Sequence, residues 1–267
     1  MKKIAVFLIV FLLGYGSIPA QELKVMTFNI FHGEHPSPSD SSKSNYKELI
    51  ELILQLQPDV IALQEVDSMT NRSEKLFGEK VDIMKKLSSE TGYSSYFAKA
   101  MDYDEGAYGE GLLVKYKSEN HTLTLPFPKG GEPRAMAWSK IKLSDSGHIY
   151  FGGTHLCHEH DENRLAQIRN ILAFADTLDH PAIWVGDLNF APDSPIYDNI
   201  PFPWKDAGLV AANKSATYAS PEGKRIDYIW YDSRKFELID YQVMKVNFSD
   251  HYPVLATLRL INKKEAN

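Results

Sequence analysis

The sequence predicts an α/β sandwich built from two related halves that share one edge. In each half an amphipathic helical pattern, a proline, an apolar strand and an acidic residue follow one another. Glu65 lies seven residues after Pro58 in the first half, and Asp187 lies six residues after Pro181 in the second. No linker-like change of composition follows the N-terminal segment, so we expect a single domain over residues 21–267.

Hydrophobic periodicity places each element along the chain. Short apolar or alternating runs predict strands at residues 23–30, 59–66, 93–100, 111–116, 134–143, 148–155, 183–187, 225–231 and 252–260. Apolar residues at three- and four-residue steps predict one helix capped by Asn45, one around residues 81–87 and one over residues 165–178. The polar residues 67–75 and the acidic residues 101–110 are expected to form loops.

The first twenty residues have the layout of a secretory signal peptide. Lys2 and Lys3 precede an apolar run of ten residues, which small residues follow up to Ala20. A membrane span requires roughly 20 apolar residues, so no permanent span is expected after cleavage of residues 1–20. We therefore expect a protein that is secreted or periplasmic. Cys157 is the only cysteine, which excludes an internal disulfide.

The charge balance argues against a nucleic-acid-binding protein. The chain carries a net charge of −6 and has a sequence pI of about 5.9. A strongly basic surface is the electrostatic footprint of proteins that bind DNA or RNA, and this composition lacks it. A phosphate-bearing substrate would therefore be attracted by local groups or through a metal ion.

The strongest local pattern is the short run from Gly186 to Asn189, which follows three apolar residues. Residues two apart on an extended chain point to the same side. Asp187 and Asn189 are therefore expected to project together from the carboxyl end of a buried strand, where α/β sheets tend to bind ligands. Taken alone, this run also fits a simple Asp-Asn turn that closes the strand.

Other polar residues stand at predicted strand ends or in turns, and they are Asn29, Glu65, His155, Asp227, Asp250 and His251. Asp227 is flanked by apolar residues, and an unpaired buried carboxylate costs several kcal/mol, so it needs a histidine or a cation as its partner. Carboxylate and amide oxygens suit Mg²⁺, with Mn²⁺ or Ca²⁺ as alternatives, whereas zinc prefers His and Cys. Phosphoester hydrolysis requires such a set of groups, because charge stabilisation dominates its catalysis.

Six short motifs resemble the endonuclease/exonuclease/phosphatase superfamily and occur in that family's order. They are Thr27-Phe28-Asn29-Ile30, Leu63-Gln64-Glu65-Val66, Thr154-His155-Leu156, Gly186-Asp187-Leu188-Asn189, Arg225-Ile226-Asp227-Tyr228-Ile229 and Ser249-Asp250-His251. The resemblance implies a four-layer α-β-β-α sandwich of two mixed sheets with internal pseudo-symmetry. It also implies a Mg²⁺ site at one edge of the sandwich. The signal peptide makes the chain similar to the secreted bacterial members.

The resemblance further implies a role for each site residue. Glu65 would bind the metal, together with Asn29 and Asp250. Asp187 would orient or deprotonate the attacking water, and His251, oriented by Asp227 or Asp250, would stabilise the transition state. His155 would contact the phosphate during catalysis. The residues expected to bind the substrate phosphate are Asn29, Asn189, Arg72 and Arg134.

Two positions depart from the family pattern, and one further segment matches it. The branch that acts on abasic DNA carries Asp where this chain has Phe31, which weakens a DNA-repair function. The residue after His155-Leu156 is often Asp and is Cys157 here. Residues 67–73, which include Arg72, resemble a pattern of secreted bacterial members, whose arginine would reach the substrate phosphate.

The sequence therefore predicts a Mg²⁺-dependent phosphoester hydrolase, with a phosphodiesterase acting on a small or lipid-derived substrate as the preferred hypothesis. The first alternative is a secreted endonuclease or exonuclease acting on DNA or RNA. The second is a non-catalytic binding module on the same fold. The protein is expected to act on its phosphate-ester substrate as a monomer.

Overall fold

Two six-stranded sheets stack face to face in the computed structural model, which describes residues 21–36, 43–143 and 147–261. The predicted signal peptide lies outside the described residues. Because both sheets mix parallel and antiparallel strands and carry helices on their outer faces, the predicted α/β sandwich of two mixed sheets is confirmed.

The first sheet has the strand order β11-β12-β1-β2-β4-β3. Its strands are β1 (Glu22–Asn29), β2 (Val60–Ser68), β3 (Ser94–Tyr103), β4 (Gly106–Val114), β11 (Phe236–Val243) and β12 (Val254–Leu260). Strands β1 and β2 are parallel and the remaining pairs are antiparallel.

The second sheet has the strand order β5-β6-β7-β8-β10-β9. Its strands are β5 (Ser118–Leu125), β6 (Arg134–Leu143), β7 (Gly147–His155), β8 (Ala182–Asp187), β9 (Trp204–Asp206) and β10 (Asp227–Asp232). Strands β7 and β8 are parallel and the other pairs are antiparallel.

The two sheets repeat one plan, which confirms the internal pseudo-symmetry. In each sheet the third and fourth strands form the parallel pair, and a helix connects them. The helices are α1 (Tyr46–Leu56), α2 (Asn71–Phe77), α3 (Ile83–Thr91), α4 (Asp161–Ala175) and α5 (Ala207–Val210), with short 3₁₀ turns at Phe31–Gly33 and Tyr197–Asn199. Helix α1 joins β1 to β2 and helix α4 joins β7 to β8. The second strand of each parallel pair carries the acidic residue that the sequence pattern predicted.

Three apolar clusters hold four layers together. The central cluster lies between the sheets and includes Val60 and Val114 of the first sheet with Phe151 and Val185 of the second. A second cluster packs α1 and α3 on the outer face of the first sheet, and a third packs α4 on the outer face of the second. Alternate residues of β8 therefore enter different clusters, as strand geometry requires.

The sheets approach each other closely at Gly153 on β7. A Cβ atom at this position would lie 2.5 Å from the Cβ of Ala62 on β2, which is closer than side-chain carbons can pack. Glycine at this position thus sets the spacing between the parallel pairs, two residues before His155.

Some local predictions were wrong. The polar residues expected to form a loop at 67–75 instead complete β2 and form most of α2, whose N-cap is Thr70. The acidic residues 101–110 form the tip of the β3–β4 hairpin, and strands β5, β9 and β11 were not predicted. Asn45 occupies the predicted N-cap position of α1, but its side chain makes no capping hydrogen bond; the side-chain nitrogen instead donates to the carbonyls of Ile30, Glu34 and Phe248.

Among the described residues, no helix is both long enough and apolar enough to span a membrane.

Candidate active site

The site begins where the apolar core between the sheets ends. On β8, Ile183 and Val185 belong to the central cluster, and Asp187 is the next residue on that face. On β10, Ile229 belongs to the same cluster and Asp227, at the start of the strand, precedes it on the same face. The two-residue period of a strand thus carries these carboxylates to one edge of the sandwich.

Strand register fixes the neighbours of Asp187 within the second sheet. His155 of the parallel strand β7 lies opposite Asp187 on one side, and Asp227 of the antiparallel strand β10 lies opposite on the other. The His155 Nε2 atom is 3.5 Å from Asp187 Oδ2. A second imidazole–carboxylate contact comes from His251, whose Nε2 is also 3.5 Å from that oxygen.

His251 is held between two carboxylates. Its Nδ1 lies 2.9 Å from Asp227 Oδ2, so Asp227, and not Asp250, orients the ring. The preceding turn is fixed to the first sheet because Ser249 Oγ donates to the carbonyl of Asn29 at 2.8 Å. The ring of Tyr218 packs beside the imidazole, with 4.9 Å between the ring centroids.

Asn29 and Glu65 meet at the carboxyl ends of the parallel strands of the first sheet. Asn29 Nδ2 donates to Glu65 Oε1 at 2.9 Å and to Asp187 Oδ2 at 3.1 Å. Glu65 adopts a left-handed backbone (φ 60°) within an irregularity of the β2–β4 ladder, which turns its side chain toward the cleft. Its second oxygen lies 2.9 Å from Nδ1 of His32.

Arg134, at the start of β6, forms a buried pair with His155. Arg134 Nη1 lies 2.9 Å from His155 Nδ1. Because arginine can only donate, His155 Nδ1 accepts and its proton sits on Nε2, which faces Asp187. Arg134 also contacts His158 at 3.1 Å and Glu132 at 3.3 Å.

Asn189 forms the predicted turn and also lines the cleft. Its backbone N–H donates to Asp187 Oδ1 at 3.0 Å, and its φ is 54°. The side-chain nitrogen donates to the carbonyl of Leu156 at 3.0 Å, which uses one of its two protons. The run from Gly186 to Asn189 is therefore both a turn that closes the strand and a part of the candidate active site.

Arg72 lines the cleft but pairs with Asp67. Its Nε and Nη2 donate to the two carboxylate oxygens at 2.8 and 2.7 Å. The Asp67 side chain is fully buried, and Thr70 donates to it as well.

The environment separates the protonation of Asp187 and His251. Burial raises the pKa of Asp187 to about 7, and the charge of Asp227 adds to the increase while His251 opposes it. Burial alone would lower the pKa of His251, but the charges of Asp227 and Asp187 outweigh it and raise this pKa to about 10. His251 is therefore an imidazolium at neutral pH, with Nδ1 donating to Asp227 and Nε2 facing Asp187 at 3.5 Å.

Three other groups have shifted pKa values. Burial and the charge of Arg134 hold the pKa of His155 well below its usual range, so this imidazole is neutral. Burial would raise the pKa of Glu65, yet the contact with His32 outweighs burial and lowers it, which keeps Glu65 ionised. Burial raises the pKa of Asp250.

The side chains near Glu65 suit a divalent cation. Glu65 and Asp250 offer hard oxygen donors at one end of the cleft, with the Oδ1 of the buried Asn29 behind Glu65, and Asp250 Oδ1 is buried without a hydrogen-bond partner among the described residues. The donor atoms of Asp187, Asp227 and His251 also lie within 4.8 Å of one another. Both imidazole nitrogens of His251 already face carboxylates, so this second group acts as a hydrogen-bonded unit.

All these groups open into one cleft of about 700 Å³. Eight of the ten predicted site residues line the cleft directly. The other two lie beneath its surface: Asn29 is hydrogen-bonded to Glu65 and Asp187, and Asp227 is hydrogen-bonded to His251. Sequence reasoning missed His32 and Tyr218. His32 could have been found from its place directly after the polar end of β1, whereas no sequence pattern indicated Tyr218.

The fold and the site define an α/β-sandwich hydrolase with a cluster of carboxylates, amides and imidazoles at one edge. The family model described as Endonuclease/Exonuclease/phosphatase family matches residues 26–251, and the chain belongs to this family. Its members generally hydrolyse phosphoesters. No curated protein is a detectable relative of the chain by sequence.

Solved structures share the fold at low sequence identity. An endonuclease/exonuclease/phosphatase from Bacteroides vulgatus superposes with a TM-score of 0.73 at 22% identity, covering 90% of this chain and 100% of that one. A mannosyl-6-phosphatase of Bacteroides thetaiotaomicron gives 0.67 at 18% identity, covering 90% and 100%. A 2′,3′-cyclic phosphatase gives 0.70 at 14% identity, covering 91% and 96%.

Proposed function

We propose that the protein is a Mg²⁺-dependent phosphodiesterase that acts on a small or lipid-derived substrate. The observation that carries this proposal is the environment of Asp187. Its Oδ2 lies 3.1 Å from the amide of Asn29 and 3.5 Å from an imidazole nitrogen on each of two sides. This is a carboxylate fixed at the floor of an open cleft and surrounded by donors.

Asp187 orients the attacking water and accepts its proton. A pKa of about 7 suits this role, because a general base works best when its pKa is near the working pH. The water attacks phosphorus in line with the departing oxygen. The Asp187 carboxylate cannot rotate freely, since Asn29 and the backbone of Asn189 hold its two oxygens.

Cationic and amide donors stabilise the charge that develops on the phosphoryl oxygens. His251 presents an imidazolium whose orientation Asp227 fixes, and His155 presents a neutral N–H. The free proton of the Asn189 amide and the guanidinium of Arg134 add donors on the same side of the cleft. Preorganised donors of this kind contribute most when water is excluded.

Glu65, Asn29 and Asp250 would hold the Mg²⁺ ion. When bound, the ion would supply a Lewis acid for a phosphoryl oxygen. Acidic groups dominate this end of the cleft. The positive charge of the bound ion would offset them, which is how an acidic protein could attract a phosphate.

The charge of the cleft favours a diester over a monoester. Its carboxylates include Glu65, Glu132, Asp187 and Asp250, beside the cations Arg134, Lys224 and His251. A diester carries one negative charge at phosphorus and a monoester carries up to two, so the diester meets less repulsion. One structural neighbour is a mannosyl-6-phosphatase and another a 2′,3′-cyclic phosphatase, so the shared fold does not decide between these substrate classes.

We also propose that the protein is exported, on the basis of residues 1–20. Export and the acidic composition both support a substrate outside the cytoplasm over genomic DNA.

A side-by-side hydrolysis assay tests the proposed function. The purified protein is incubated with Mg²⁺ or with EDTA and given bis-4-nitrophenyl phosphate, 4-nitrophenyl phosphate, sphingomyelin or plasmid DNA. We expect Mg²⁺-dependent turnover, fastest on a diester that is not DNA.

Other outcomes would replace this proposal. Nicking of the plasmid at low enzyme concentration would establish the nuclease instead. Absence of turnover on every substrate with metal present would favour a binding module.

A further inference from the structure

One wall of the cleft is aromatic and takes no part in the reaction proposed above. The rings of Phe31 and His32 lie 5.0 Å apart between centroids, and His32 lies 6.1 Å from Tyr108. Tyr103 continues the row, 6.0 Å from Tyr108. The row leads away from Glu65, because His32 is the member that contacts Glu65.

Arg72 lies at the far end of this row. Its guanidinium carbon is 4.7 Å from the centre of the Tyr103 ring and 5.8 Å from that of Tyr108. Its bonds to Asp67 use Nε and Nη2, which leaves the two N–H groups of Nη1 outside the pair. The Asp67 side chain is fully buried while that of Arg72 is 17% exposed, so the positive end of the pair faces the cleft.

The backbone that carries the near end of the row is strained. Phe31 and His32 have φ values of 50° and 56°, in the left-handed region that such side chains rarely adopt. The turn persists because Phe31 N donates to Asn29 Oδ1 at 3.1 Å and Asn45 Nδ2 holds the carbonyls of Ile30 and Glu34. Strain that the surroundings enforce in this way is concentrated at ligand-binding sites.

Resting on the proposed function, we propose that Phe31, Met101, Tyr103 and Arg72 bind the organic group of the phosphoester. The preferred organic group is a ring that carries an anionic oxygen, either a carboxylate or a second phosphate.

Ring stacking and charge explain this preference. Phe31 and Met101 are partly exposed and Tyr103 is 37% exposed, so the wall offers apolar surface on which a ring can pack. Asp67 fixes the guanidinium before the substrate arrives, which lowers the entropic cost of binding. Charge-assisted hydrogen bonds from arginine to an anionic oxygen are about twice as strong as neutral ones. A plain alkyl chain would gain nothing from this cation.

Two isosteric phosphonates provide the test. The groups of 4-carboxybenzylphosphonate and 4-nitrobenzylphosphonate have the same shape, but only the former adds an anion, and neither carbon–phosphorus bond is hydrolysed. Their affinities, and those of the 3-substituted isomers and phenethyl homologues, are measured by calorimetry with Mg²⁺. We expect at least one carboxylate ligand to bind about 10-fold more tightly than its nitro counterpart.

Variants assign this preference to Arg72. Arg72→Gln should remove the preference and leave the affinity for the nitro ligand nearly unchanged. Lys224→Gln removes the same charge from another residue that lines the cleft and should keep the preference. Because Arg72→Gln leaves Asp67 unpaired, the double variant Asp67→Asn/Arg72→Gln repeats the test without a buried lone charge.

Calorimetry measures ligand affinity without turnover. A protein that hydrolyses no substrate but still prefers the carboxylate ligands would therefore contradict the proposed function and support this inference. Equal affinity for the carboxylate and nitro ligands at every geometry would overturn the inference. A preference that survives in both Arg72 variants would overturn it as well.

Discussion

Asn29 Nδ2 donates to Asp187 Oδ2 across 158 positions of sequence, at a distance of 3.1 Å. Asn29 ends β1 of the first sheet and Asp187 ends β8 of the second. The same nitrogen donates to Glu65 at 2.9 Å. One amide thus joins the group we assign to the water with the group we assign to the metal, and the site exists only where the two sheets meet.

Replacing Asp187 by asparagine should abolish most of the activity. Asp187→Asn keeps the shape of the side chain but removes the general base, so kcat should fall by at least about 10²-fold. Steady-state kinetics on the best substrate measures the change. Asp193→Asn makes the same substitution at an exposed position in the following loop and should have no effect. Near-normal turnover by a folded Asp187→Asn protein would contradict the assigned role.

Asp227 is expected to act through His251. Asp227→Asn removes the carboxylate that orients the imidazole and raises its pKa, so kcat should fall by about 10- to 10²-fold with KM little changed. The basic limb of the pH–kcat profile should also move to lower pH. The control is Asp232→Asn. Asp232 lies at the other end of β10 and pairs with Arg234 outside the cleft, so its replacement should leave the pH–kcat profile unchanged. An unchanged profile in Asp227→Asn would show that the pair is only structural.

Glu65 should be required for Mg²⁺ binding. A ligand that binds only the folded state stabilises it by an amount that grows with its concentration, so Mg²⁺ should raise the Tm of the wild-type protein. Glu65→Gln should lose this increase. Glu132→Gln, which changes another carboxylate of the same cleft, should retain it. If Glu65→Gln responded to Mg²⁺ as the wild type does, the metal would have to lie elsewhere.

Stability without metal should fall as pH rises from 7 to 10. The pKa of His251 is about 10 in the folded protein and about 6.5 when unfolded. A raised pKa gives stability that is complete below pH 6.5 and is lost as pH rises toward 10, with a limiting slope of about 1.4 kcal/mol per pH unit. Urea unfolding in EDTA measures this slope. His251→Gln should flatten it, and equal slopes for both proteins would refute the assignment.

Gly186 should be needed for the position of Asp187. Its φ is 145°, and a Cβ atom there would lie 1.9 Å from the carbonyl oxygen of Thr154 on the neighbouring strand. Gly186→Ala should therefore cost about 1–3 kcal/mol of unfolding free energy, the usual range for overpacking, or more. Gly78→Ala also has a positive φ but meets no atom within 4 Å, so it isolates the backbone contribution. Equal losses in the two variants would show that the steric contact is unimportant.

Much of the fold was predictable because the sequence carries local patterns for it. The apolar runs ending at Asn29, Glu65, His155 and Asp187 all proved to be buried strands, since burial on both faces leaves little room for polar residues. The half-exposed strands were harder to predict. Strand β5 carries mostly polar residues, and its pairing with β6 rests on backbone hydrogen bonds that composition does not reveal.

The residues of the candidate site were also predictable from local sequence patterns, but their contacts with one another were not. The motifs located the carboxylates, but the partner of His251 was undecided between Asp227 and Asp250 until strand register placed Asp227 beside it. His32 and Tyr218 come from a strained turn and from a loop, where side-chain direction depends on contacts distant in sequence.

The sequence by itself determined the two-halved sandwich, the family, and the residue types that stand at the strand ends. The halves and the residue types follow from local periodicity and spacing, which operate within a few residues, and the family follows from the resemblance of six short motifs. Only the tertiary structure decided which groups are in contact. Asn29 of the first sheet bonds to Asp187 of the second, Asp227 bonds to His251, and Arg72 faces the cleft while paired with the buried Asp67. Such contacts depend on the packing of two sheets and on strand register, and both are set by the core as a whole.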